Sequence, residues 1–187
     1  MLAEFTQELK NLTQDTLRGI HTALPGKVDS FDATQCRASV VPYGKFRKPD
    51  GSYIDFPKLA NVPVYIMQGS GQTATIAYPI KSGDECLLLF SEQTLDVWET
   101  GASSNTDLRF DLSNAIAIVG LFAKPNPLVK TACDNDALII EKDGQSIMLS
   151  SSAVTMKVNS LVVQSSGNVS FSVGGSMTLN GANIETV

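Results

Sequence analysis

The chain has 187 residues, 43% of them hydrophobic and 18% charged, with 14 Lys and Arg against 19 Asp and Glu for a formal net charge of -5. That is length enough for one or two globular domains, and the acidic balance argues against a partner held by counterion release, such as DNA or an anionic membrane surface. One histidine excludes a multi-histidine metal site within one chain, and Cys36, Cys86 and Cys133, far apart and without a CxxC spacing, read as reduced packing residues rather than a disulfide framework or zinc site.

The N-terminus lacks the basic start, apolar centre and small-residue cleavage site of a signal peptide, and no run reaches the roughly 18 apolar residues of a membrane span, so synthesis in the cytosol is expected. Over residues 2–20, Leu2, Phe5, Leu9 and Leu12 recur at steps of three and four with Glu4, Glu8, Lys10 and Asp15 between them. This predicts an amphipathic helix, stopped by Gly19 or at the latest by Pro25. The stripe continues only as Thr16 and Gly19, which disfavours a long coiled coil.

From 26 to 122 the pattern turns to short strands separated by turn residues: "GKVDSFDATQCRASVVPYG", a "KPDGSY" hairpin signal, "LANVPVYIM", a glycine-rich "QGSGQ" turn and "TATIAYPI". "SGDE" then predicts a tight connection, because Gly83 tolerates backbone conformations that a side chain penalises and Asp84 can bond its own local backbone. The run Cys86, Leu87, Leu88, Leu89, Phe90 is apolar at every position, so the strand it forms is expected to be buried on both faces, with Trp98 as an apolar lid beyond it. A last strand is expected over 115–121, after which Pro125 and Pro127 mark a boundary. Five or six strands with no helix between them favour a small barrel or a sandwich.

Beyond Lys130 the composition shifts. After Asp143 the only charged side chains are Lys157 and Glu185, and Ser, Thr, Asn and Gly fill the spaces between apolar residues. The apolar residues alternate in short bursts: Ile147 and Leu149; Val154, Met156 and Val158; Leu161 and Val163; Val169, Phe171 and Val173; Met177 and Leu179. Each burst offers one narrow apolar strip, and a chain of this length cannot bury such a ladder against itself. Repetition every roughly seven to nine residues suggests a stacked solenoid whose missing partner strands come from other copies. Three chains around one axis would bury the strips at the centre. About seven strands at ~4.8 Å give a rod on the order of 30 to 35 Å long.

Four stretches together, "LPGKV", "LANVPV", "YPIKSGDECLLLFSEQTLDVWETG" and "LRFDLSNAIAIVGL", resemble the central spike proteins of contractile phage tails and tailocins, the baseplate assembly protein V or membrane-piercing spike family. The resemblance covers most of 24–121 and rests on Gly83, Asp84, Cys86, Leu87, Leu88, Phe90, Asp96, Trp98, Arg109 and Asp111. It implies a mainly β chain in three parts: an N-terminal helix over 1–23, an OB-fold-like barrel over 24–125, and over 126–187 an intertwined triple-stranded β-helix in a homotrimer. The apolar bursts would then line the trimer axis. It further implies a virion protein of the tail baseplate that docks on hub and tail-tube proteins and pierces the host envelope when the sheath contracts. Many such spikes end in a His-x-His element that binds iron; this tail has no histidine, so no tip iron or other cofactor is expected, and the apex over 181–187 is left to a separate tip-capping protein or to apolar and Asn side chains.

No enzyme is expected. There is no GxSxG, no P-loop and no cysteine paired with a histidine. His21 reads as a capping or solvated residue, and Asp84, Glu85, Glu92 and Asp96 as turn and surface carboxylates rather than a glycosidase pair. Nucleic acid is not an expected partner. The alternative is a barrel that binds single-stranded nucleic acid or saccharide, for which the best patch is "YGKFRKPDGSY", with Tyr43, Lys45, Phe46, Arg47, Lys48 and Tyr53.

Overall fold

The structure, a computed structural model, describes residues 2–48, 50–101, 108–178 and 180–181. The chain divides into two compact units, Met1–Pro125 and Asn126–Val187.

The first unit opens with helix α1, Leu2–Arg18, which ends where the Gly19 N–H reaches back to the Thr16 carbonyl at 3.1 Å. Nine strands follow among the described residues: β1 Ala23–Asp32, β2 Arg37–Pro42, β3 Lys45–Arg47, β4 Tyr53–Asp55, β5 Leu59–Pro63, β6 Met67–Gly69, β7 Ala74–Ile76, β8 Glu85–Phe90 and β9 Ala115–Val119. Five of them make one antiparallel sheet in the order β5-β2-β1-β8-β9, while β3-β4 and β6-β7 are separate hairpins. The two edges of the large sheet meet: Val64, next after β5, bridges Ala117 of β9 in parallel, and the Tyr65 N–H donates to the Ala117 carbonyl at 2.8 Å. The sheet is therefore a curled half-barrel. Its curvature has a local cause in two register shifts, between Val28 and Ser30 of β1 and between Ala38 and Val40 of β2, since an extra residue on one strand bends the ladder and adds twist.

The concave face holds the core: Val28, Ala38, Val40, Leu59, Val62, Cys86, Leu88, Phe90, Ala115, Ala117 and Val119. Size alternates across the strands, with Leu88 opposite Ala117 and Phe90 opposite Ala115, so large side chains meet small ones and the narrow interior fills. Gly26, opposite Cys86, completes the fit: a Cβ there would lie 2.8 Å from a Val40 methyl and 3.2 Å from a Leu88 methyl.

The expectation that the 86–90 run is buried on both faces is corrected. Cys86, Leu88 and Phe90 point inward and are buried, Leu87 is half-buried, and Leu89 is 39% exposed. A curled sheet has a single inside, and being apolar at every position does not give a strand a second one. The β8–β9 connection also contains a helix that the strand pattern did not predict, α2, Asp96–Thr100, closed by Gly101 in the left-handed region at φ 71°. Trp98 lies on it and is 69% exposed, so it is not a lid.

In the second unit, helix α3, Pro127–Asp134, is likewise additional. The Asn126 side chain accepts from the Leu128 N–H at 2.9 Å and Pro127 takes the first helical position, so a dipeptide read as a boundary is a helix start. A three-stranded antiparallel meander follows: β10 Leu138–Lys142, β11 Gln145–Leu149 and β12 Val154–Lys157. After β12 the described residues form no further strand.

Candidate functional surfaces

The motif residues 83–90 build the turn and wall of the barrel. Gly83 sits at φ 98°, a conformation that favours glycine, and its N–H donates to the Val28 carbonyl at 2.8 Å. Asp84 Oδ2 accepts from the Lys81 N–H at 2.8 Å, while the Asp84 carbonyl accepts from the Val28 N–H at 2.8 Å. The turn thus hydrogen-bonds itself and pins β8 beside β1.

Cys86 is fully buried, and burial pushes its thiol up to about 11. Cys36 and Cys133 are exposed. Two thiols are therefore expected to react with a neutral maleimide in the native protein and a third only after denaturation; three reacting at once would contradict the packing. The sign of the pH effect follows. The folded state keeps the Cys86 proton to higher pH than the unfolded chain, so this contribution is complete below pH 9 and falls away between about 9 and 11, by about 2–3 kcal/mol. A Cys86→Ala variant should lose that slope relative to the parent.

The "LRFDLSN" stretch holds the long β8–β9 connection together. Asp111 caps a 3-10 turn over Leu112–Asn114, accepting from the Ser113 hydroxyl at 2.6 Å and the Ser113 N–H at 2.8 Å, and these bonds hold its carboxyl below the usual range. Asn114 is buried: its Nδ2 donates to the Leu108 carbonyl at 2.9 Å, its Oδ1 accepts from the Leu95 N–H at 3.4 Å, and its carbonyl accepts from the Ser91 N–H at 3.0 Å. Reading the sequence alone did not find this role. The available signal was a polar residue immediately ahead of the apolar strand "AIAIV".

Arg109 pairs with Glu92 at 3.4 Å on the surface, and Asp96 lies in the first turn of α2. Glu99 anchors α2 to β2 through Arg37 at 2.9 Å. The four carboxylates weighed for hydrolysis go to different duties: Asp84 to its turn, Glu85 to the Ala123 N–H at 2.5 Å, Glu92 to Arg109 and Asp96 to a helix end. Among the described residues no group of three or more His, Cys, Asp or Glu is placed to hold a metal ion, and no helix is long and apolar enough to cross a membrane. His21 is packed between the rings of Phe56 and Phe90, with centroids 5.7 and 5.8 Å away. The basic hairpin β3-β4 is partly self-neutralised by Lys45 and Asp55, 3.4 Å apart.

Two of the remaining surfaces are mainly apolar. An open groove of about 610 Å³ is lined by Pro25, Tyr43, Leu121 and Phe122. In the second unit, the register places Leu138 and Ile140 of β10, Ile147 and Leu149 of β11, and Val154 and Met156 of β12 on one face of the meander. Leu138 and Val154 on this face are 64% and 67% exposed, and Ile140, Leu149 and Met156 are exposed too, while Ile147 at its centre is half-buried. Val158, Leu161, Val163, Val169, Phe171, Val173 and Met177 are also exposed and belong to no strand; Leu179 lies outside the described residues.

The described residues thus form a curled half-barrel in the first unit and an antiparallel sheet with an apolar face in the second. Residues 24–120, which are the barrel, match the family described as the phage protein Gp138 N-terminal domain, and the chain belongs to that family. It is a phage protein, and the family is consistent with a component of the virion. No curated protein matches the chain.

Proposed function

We propose that the chain is the central spike of a contractile tail, a homotrimer whose barrels dock on the hub and tail-tube proteins and whose tails wind into a β-rod that pierces the host envelope. The observation that carries this reading is the apolar face of Leu138, Ile140, Ile147, Leu149, Val154 and Met156, exposed at every one of these but the half-buried Ile147, followed by a run of exposed apolar residues without strand partners among the described residues. A contiguous apolar surface of this kind marks an interface, and unpaired backbone calls for partner strands. Two further copies supply both. The barrel supports the reading through its topology: with the five sheet strands numbered in chain order, the sheet runs 3-2-1-4-5 and closes through one parallel contact between 3 and 5, which suits an OB-type Greek-key barrel.

In this mechanism the protein supplies stiffness. Contraction delivers the work, and the rod transmits force because its strands are hydrogen-bonded between chains around a dry centre. The reading assigns the chain no reaction and no cofactor. Light scattering on the purified protein is the test: the full chain should have three times the single-chain mass, and a chain ending at Pro125 should fall to single chains at concentrations where the full chain stays associated. A full chain of single mass overturns the proposal and turns attention to single-stranded nucleic acid or saccharide binding by the barrel.

A further inference from the structure

Helix α1 carries an apolar line that the described structure leaves uncovered. Phe5, Leu9 and Leu12 are all exposed, as is Leu17 off that line, and no strand of the barrel packs extensively on the described helix. With Thr16 they recur at steps of four, three and four, the a and d positions of a heptad. A helix that packs on a globular surface presents a wider stripe, with a third apolar position per heptad, whereas a strict a/d seam fits another seam of equal width. We infer that α1 packs against the same helix of two further copies, forming a short parallel three-helix bundle at the N-terminus. This rests on the homotrimer proposed above, which sets the number of copies; rotation about one axis makes the helices parallel.

Two details of the side chains fit that occupant. Thr16 would enter the seam as a polar residue, but its hydroxyl already donates to the Leu12 carbonyl at 2.9 Å, so burial leaves no donor unmet. In a parallel bundle the residue flanking one seam meets the residue five positions later on its neighbour, which sets Glu8 against Thr13 rather than against another carboxylate. The Thr13 hydroxyl in turn donates to the Leu9 carbonyl at 2.9 Å.

The test uses the full chain with Cys36 and Cys133 replaced by serine, carrying either Leu9→Cys in the seam or Gln7→Cys on the outer side. Seam positions of neighbouring helices come within disulfide reach and outer positions do not. Mild oxidation should link Leu9→Cys chains into covalent pairs at least about tenfold faster than Gln7→Cys chains, in a particle of three-chain mass. A three-chain mass without that preference overturns the helix bundle and leaves the trimer standing. A single-chain mass overturns both.

Discussion

Leu88→Ala is expected to lower the stability of the barrel by about 3–5 kcal/mol, while Leu89→Ala, one residue on, should cost about 1 kcal/mol or less. Leu88 is fully buried at the centre of β8, facing Ala117 on one neighbouring strand and Leu24 on the other. Both neighbours belong to the sheet and cannot collapse into the space, so the variant loses the transfer energy of the side chain and keeps a cavity. Leu89 points to the outer side, so truncating it removes little packing. Urea unfolding of the two variants beside the parent measures the difference. Equal losses would mean that the strand is buried on both sides after all, the arrangement that its unbroken apolar run suggests and its burial pattern denies.

Phe171→Asp should abolish the three-chain mass. In the proposed rod the Phe171 side chains of three copies converge on the axis, and aspartate there would place three like charges in a dry centre, each costing several kcal/mol to desolvate without a partner. Ser172→Asp, one residue on and facing outward, is the control and should assemble normally. Light scattering and thermal unfolding give the readout. A Phe171→Asp protein that is still trimeric, with an unchanged melting temperature, would remove Phe171 from the axis.

Much of the first unit was legible in the residues. Phe5, Leu9 and Leu12 announced α1, "KPDGSY" and "QGSGQ" announced the hairpins β3-β4 and β6-β7, and "SGDE" announced the turn into β8. Each is a local signal, carried by periodicity or by residues with few backbone options. The helices α2 and α3 were missed because each is short: α2 has 5 residues and α3 has 8, too few for a hydrophobic period to stand out. The Asn126 and Pro127 pair is a usable start signal for α3, since Asn caps and Pro fits the first helical position, but the same proline also suits a boundary. Asn114 could not be recognised as the tie of the β8–β9 connection, because its partners, Leu95 and Leu108, are set by how that connection folds back.

By itself the sequence determined a mainly β chain, the position of its turns, a tail almost without charge whose apolar residues alternate, and a motif shared with phage proteins. These depend on residue type and spacing along the chain. Only the tertiary structure decided which side of β8 is the inside, that Trp98 faces outward, and that the sheet edges meet at Val64 and Ala117. Such features depend on which strands become neighbours, and neighbours along β8 come from residues up to 66 positions away, as Ala23 is from Leu89, beyond the reach of any local pattern.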